Sequence, residues 1–166
     1  MASVGERPAV LRTDLRPGDL GEIVRLHGVV YAREHGFDPT FEAYVAEPLA
    51  RFAISASPRE RLWIAERGGA IVGCVAIVGA SPLVAQLRWF LVDPSARGSG
   101  LGTRLLEEAI AFSRSCGYRS IILWTVSALA AAARLYRAKG FQRTEEKPIR
   151  QWGADVVEEK YELTLS

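Results

Sequence analysis

The chain has 166 residues, 49% of them hydrophobic, with 21 basic and 19 acidic residues and a formal net charge of +2. That length and apolar content suit one continuous core, so a frayed stretch over residues 1–8 followed by one domain over residues 9–166 is the expected organisation. Interleaved, nearly balanced charge gives no footprint for a nucleic acid, and the longest apolar run, Ala70 to Ala80, is far short of the roughly 20 residues that cross a bilayer.

No apolar run follows Glu6 and Arg7, so the N-terminus does not read as a secretory signal and a cytoplasmic location is expected. Cys74 and Cys116 are far apart and sit among core-type neighbours, which suits buried reduced thiols and not a disulfide or a metal site.

Rough alternation from Ala9 to Leu15 predicts a first strand, and Pro17-Gly18-Asp19 turns the chain into a helix over Leu20 to Glu34. Its Leu20, Ile23, Val24, His27, Val30 and Tyr31 fall at spacings of three and four. After His35-Gly36 a second helix is predicted over Thr40 to Ile54, kinked or broken at Pro48. Arg61 to Glu66 and Ala70 to Val78 form a hairpin about Arg67-Gly68-Gly69, and Leu83 to Val92 is a third strand stopped by Asp93-Pro94.

A strong helical stripe then runs through Leu101, Leu105, Ala109, Phe112 and Cys116, with Gly117 as its C-terminal signal. Ser120 to Val126 is an almost wholly apolar strand, and Ser127 is placed to cap a helix over Ala128 to Lys139. Two last strands, Phe141 to Ile149 and Val156 to Leu165, flank a turn at Gln151-Trp152-Gly153. The order β-α-α-β-β-β-α-β-α-β-β predicts an α/β (α+β) fold with a mixed sheet and helices on both faces.

The chemistry is concentrated between the third and fourth of the predicted elements that follow the hairpin's start, where the sequence reads Arg97-Gly98-Ser99-Gly100-Leu101-Gly102-Thr103. Three alternate glycines between a strand and a helix allow backbone amides to converge at the helix's positive end with no Cβ in the way. Arg97 adds a fork-shaped donor suited to phosphate oxygens. A Walker loop would place Lys and Ser/Thr directly after the last glycine, and a dinucleotide fingerprint would space its third glycine one residue later, near the first strand. Neither pattern is met.

Arg-x-x-Gly-x-Gly after an apolar strand ending Val92-Asp93-Pro94 resembles the acetyl-CoA pyrophosphate loop of the GNAT superfamily of N-acetyltransferases. Leu135-Tyr136-Arg137-Ala138-Lys139-Gly140-Phe141 resembles a second element of that family, Leu-Tyr-x-x-x-Gly-Phe, and the likeness covers nearly the whole chain. Leu87 to Leu106 with Leu123-Trp124-Thr125-Val126 is most similar to the acetyltransferase half of bacterial proteins that fuse this domain to a MarR-type regulator. No winged-helix segment accompanies it here, so a DNA-binding role does not carry over.

The resemblance implies acetyl-CoA as cofactor and a primary amine of a small molecule or amino acid as acceptor. Leu91 and Val92 would offer backbone groups to the pantetheine, residues Arg97, Gly98, Ser99, Gly100, Leu101, Gly102 and Thr103 would hold the pyrophosphate, and Trp124, Ser127 and Lys139 would complete the cofactor site. Tyr136 is the implied proton donor to the departing thiolate. The glutamate that serves as base in the family's protein-lysine acetyltransferases falls here on Gln86, which cannot take a proton; Glu34, His27, His35 and Glu66 are the other residues considered.

Tyr31, Glu34, Phe37, Arg88 and Trp152 are the expected acceptor-site residues. A protein or peptide N-acetyltransferase, or a non-catalytic acyl-CoA sensor, is the competing reading, and by analogy with the family a homodimer would form through the final strand.

Overall fold

A computed structural model describes residues 7–166, so most of the stretch expected to fray lies outside the described residues. The elements follow the predicted order: β1 (Val10–Arg12), α1 (Asp19–His35), α2 (Pro39–Ser55), β2 (Arg61–Arg67), β3 (Ala70–Gly79), β4 (Val84–Val92), α3 (Leu101–Ser115), β5 (Ser120–Val126), α4 (Ala130–Ala138), β6 (Gln142–Gln151) and β7 (Ala154–Thr164). All seven strands form one sheet in the order β1-β2-β3-β4-β5-β7-β6. Every pairing is antiparallel except that of β4 with β5, which α3 connects.

Each face of the sheet carries its own apolar layer, because successive strand residues point to opposite sides. On β3, Val75 and Ile77 pack with Leu101, Leu105 and Ala109 of α3 and with Ala133 and Tyr136 of α4. Cys74 and Ala76 turn the other way, toward Ile23, Leu26 and Val30 of α1 and Phe41, Val45 and Leu49 of α2. Among the described residues no helix is long and apolar enough to cross a membrane.

Several expectations are corrected. The first strand is three residues long, not seven: Arg12 pairs with Ile64 but also reaches Asp19 at 2.8 Å with both guanidinium ends, which bends the chain into α1. Pro48 does not break α2, which continues through it to Ser55. The carbonyl its missing N–H would have bonded belongs to Tyr44, an exposed residue on the outer side of the helix turn, where loss of that bond costs less than it would in the core. The start of α2 is well set, with Pro39 in the first turn and the Asp38 carboxylate accepting from the Thr40 amide at 2.9 Å.

Ser127 does not cap α4. Its amide donates to the Val157 carbonyl at 2.9 Å, which keeps it in the line of β5, and the helix starts at Ala130 with Leu129 at the cap position. Pairing of copies through the final strand is closed, since β7 lies between β5 and β6. The free edge at that end is β6, where Arg143, Glu145, Glu146, Lys147 and Pro148 are exposed, a composition that blunts strand addition.

Candidate functional site

The site begins where the sheet comes apart. β4 and β5 are paired only at Val84–Gln86 against Ser120–Ile122, and residues 87–92 and 123–126 have no ladder between them. Within β4, Cys74 faces Leu91 while Ala76 faces Arg88, so Trp89 and Phe90 together oppose Val75. This is a β-bulge, with Trp89 held at φ 50°. The extra residue shifts the alternation: Ala85 and Leu87 belong to the layer under α3 and α4, whereas Trp89 and Leu91 belong to the layer under α1 and α2. Arg88 and Trp89 are thereby brought together, the guanidinium 5.2 Å from the indole.

On one side of the gap lies a cavity of about 710 Å³, lined by Leu91, Val92, Arg97, Gly98, Gly100, Leu101, Gly102 and Thr103, and across from them by Ala128 to Ala132, Arg134 and Leu135. Gly100 occupies the cap position of α3 at φ 80°, with no side-chain hydrogen bond to the first turn. A side chain there would be strained by the left-handed backbone, and the amides of the first turn remain free to meet an anion. At Gly102 a Cβ would come 3.0 Å from a Leu135 methyl and 3.5 Å from the Phe90 ring, so glycine keeps the wall between α3 and α4 open.

Arg97 reaches across the cavity mouth to Glu34, Nη1 to Oε1 at 2.7 Å, with both side chains partly in water. Free amides at a helix's positive end, a guanidinium and an adjoining apolar trough fit a ligand with a phosphate head and a flexible, weakly polar arm. The residues present therefore suit a coenzyme of the CoA type.

On the other side a narrower cavity of about 110 Å³ contains Tyr31, Phe37, Arg88, Trp124, Tyr136 and Trp152 in its wall, and meets the larger one at the shared residues Tyr31, Phe90 and Leu129. Its outer wall is a chain of rings: Tyr31 to Phe41 at 4.6 Å, Phe37 to Trp152 at 5.1 Å and Tyr44 to Trp152 at 5.1 Å between centroids. Trp152 arrives there because Trp152-Gly153 is a two-residue hairpin loop with positive φ at both positions, the geometry that matches strand twist. The Trp152 carbonyl accepts from the Asp38 amide at 2.9 Å, and this bond docks the hairpin tip on the start of α2.

Tyr136 comes from the last turns of α4 and is buried among Phe90, Phe141 and Tyr161 at about 6 Å between rings. Burial, with Tyr31 and Tyr161 adding to it, pushes the phenol's pKa well above its ordinary value. Its proton is therefore retained throughout the physiological range. His27 is likewise buried, and desolvation lowers its pKa to about 4. Its Nδ1 lies 2.8 Å from the Ile23 carbonyl, so Nδ1 carries the proton and Nε2 is left as an acceptor. Nε2 of His27, Nε1 of Trp89 and Oγ1 of Thr125 are the buried side-chain polar atoms without a partner among the described residues, and all three belong to residues lining the narrow cavity.

The structure thus separates residues that sequence had grouped. Glu34, expected beside the acceptor, lines the larger cavity with His35, while Phe37 lines the narrow one; Gly36, at φ 70°, turns the chain between them. Trp124 borders the narrow cavity alone. Ser99, Ser127 and Lys139 line neither: the Ser99 hydroxyl donates to the Ala96 carbonyl at 2.6 Å, and Lys139 is ion-paired to Glu107 at 2.6 Å. Glu66 is engaged by Arg12 at the opposite edge of the sheet. Residues sequence reasoning missed include Phe90, Tyr44, Trp89, Thr125, Glu158 and the start of α4. The alanines around Leu129, small enough for close approach of a ligand, were the signal available for the last of these.

Strand splay, glycine cradle and two joined cavities define an enzyme of the acyl-transfer class. Residues 29–141 match the family described as Acetyltransferase (GNAT) family. An uncharacterized N-acetyltransferase of Schizosaccharomyces pombe is 35% identical over 120 residues, 69% of this chain and 72% of that one. A protein of Azospirillum brasilense named IAA acetyltransferase is 34% identical over 103 residues, 61% of this chain and 66% of its own length. A structure of a Salmonella typhimurium protein, described as an acetyltransferase with its cofactor acetyl-CoA, superposes with a TM-score of 0.78 at 19% identity, covering 96% of this chain and 95% of that one. The chain belongs to the acetyltransferase (GNAT) family.

Proposed function

We propose that the protein transfers the acetyl group of acetyl-CoA to the primary amine of a small molecule, an amino acid being the best fit. The observation that carries this reading is the meeting of an anion-cradling cavity and an aromatic one at a gap in the sheet beside Tyr136. When bound, acetyl-CoA supplies an acyl carbon on sulfur, whose transfer to an amine nitrogen releases the thiol. The amides of Leu101, Gly102 and Thr103 and the Arg97 guanidinium would hold the pyrophosphate, with Arg97 exchanging Glu34 for phosphate oxygens. Unpaired backbone of Leu91 and Val92 would bond to the pantetheine as an added strand would.

Tyr136 would keep its proton until the C–S bond breaks, donate it to the departing sulfur, and be reprotonated by the proton that the acylated nitrogen sheds, so that the net transfer is one proton from nitrogen to sulfur. Gln86 lines the narrow cavity but cannot act as a base. Of the other residues considered for that role, only His27 lines it too; neutral and with Nε2 free, it would orient the amine by accepting a hydrogen bond. Gln86, where the protein-lysine acetyltransferases that the chain resembles carry a glutamate, supports a small acceptor over a polypeptide.

The likeness to the acetyltransferase half of MarR fusion proteins and the cytoplasmic location belong to the same proposal, the latter supported by two unpaired cysteines. Free thiol released from acetyl-CoA in the presence of a panel of small amines tests the function. The expected result is acceptor-dependent release; tight CoA binding with no release for any acceptor would establish the sensor reading instead.

A further inference from the structure

The narrow cavity carries few charges. Arg88 is its single Lys or Arg, and Glu158 its single acid. Glu158 already has Lys147 at 3.8 Å. Arg88 has no carboxylate within ion-pair distance among the described residues, and its neighbours are instead the faces of Trp89, at 5.2 Å, and Tyr44, at 6.0 Å. A guanidinium stacked on rings keeps its in-plane N–H donors free at its edge. It is placed by the bulge at Trp89, which turns two consecutive residues of β4 toward the same cavity.

The groups around it ask for a particular ligand. Phe37, Phe41, Tyr44 and Trp152 offer an apolar box, and in the wall around it two buried ring nitrogens lack partners among the described residues, Nε2 of His27, which can only accept a hydrogen bond, and Nε1 of Trp89, which can only donate one. A polyamine or other polycation would meet one cation and one already-paired carboxylate here, and would be repelled. A neutral alkylamine would leave the guanidinium without a counter-ion. An amine, a carboxylate and a bulky apolar substituent on one small molecule match all three features.

Building on the acetyltransferase reading, we propose that the acceptor is an apolar or aromatic α-amino acid, with Arg88 as the residue that receives its carboxylate. The amine is then directed toward the gap beside Tyr136, while the side chain enters the ring box. Arg88 sets specificity and takes no part in proton transfer.

The test is thiol release with L-phenylalanine, L-tryptophan, phenethylamine, tryptamine and spermidine, for the wild-type protein and for Arg88→Leu and Arg88→Lys. Charge-assisted hydrogen bonds predict a kcat/KM for each amino acid about 10-fold to 100-fold above that of its decarboxylated counterpart. In Arg88→Leu that ratio is expected to fall toward one through KM, with part of it restored in Arg88→Lys, while CoA still raises the thermal midpoint. Equal or faster turnover of phenethylamine or spermidine by the wild-type protein overturns the substrate class and leaves the acetyltransferase reading standing. A preference for the amino acids that persists in Arg88→Leu overturns the role of Arg88. Absence of thiol release with every amine overturns this proposal together with the reading it rests on.

Discussion

The two cavities are built by different means. The larger one rests on backbone: glycines at 98, 100 and 102, a bare helix terminus and unpaired strand edges. The narrow one rests on side chains from α1, α2, β4, β5, α4 and the β6–β7 turn, many of them aromatic and three buried with polar atoms unpartnered among the described residues. Backbone recognises what all users of one coenzyme share, whereas side chains are free to vary with the acceptor. On the proposed assignment, the donor half of the reaction is written locally in the chain, and the acceptor half only in the folded molecule.

Tyr136→Phe divides the two cavities most sharply. Turnover with the best acceptor is expected to fall by about 10²-fold or more, the range for loss of a positioned proton donor, while CoA affinity changes little. Stopped assays for thiol together with CoA titration check this; unchanged turnover would reduce Tyr136 to packing among Phe90, Phe141 and Tyr161.

A smaller effect concerns the buried polar atoms of the narrow cavity. His27 has a folded pKa of about 4, below the ordinary 6.5 of an exposed imidazole. Between those values the unfolded chain binds a proton that the folded protein refuses, so stability declines as pH falls from about 6.5 to about 4 and levels off below. The full loss is on the order of 3 kcal/mol. Asp19, whose pKa is lowered by its hydrogen bonds to Arg12, adds its own loss only below the usual carboxylate range, so the two windows are separate. Urea midpoints at pH 7 and pH 4.5 should differ less in His27→Leu than in the wild-type protein; equal differences would mean that His27 is not held neutral.

Legibility followed the same division. Arg97 through Thr103 lie within one turn and one helix start, so the anion site proposed there can be read without the fold, although Ser99 turns its hydroxyl to the Ala96 carbonyl and does not line the cavity. The element order was readable because each helix and strand carries its own periodicity, and Gly117 marks the end of α3 at φ 81°. The bulge was not readable: Trp89 is an ordinary strand residue by composition, and its positive φ is imposed by the packing of β3 and α2 around it.

Glu34 and Phe37 show a second limit. Three residues apart, they were assigned to one cleft, yet Gly36 sends them to different cavities. Ser127 shows a third, since a good capping residue is held in the strand by the Val157 carbonyl and the helix begins without it.

The most direct test of the central claim, that the glycine turn and Arg97 form a CoA site, is the thermal midpoint of the wild-type protein and of Arg97→Glu with CoA, NAD or ATP. Only a ligand bound by the native state raises the midpoint. The account requires a rise with CoA alone, lost in Arg97→Glu; an equal rise with ATP or NAD, or a CoA-dependent rise that survives the charge reversal, would contradict it.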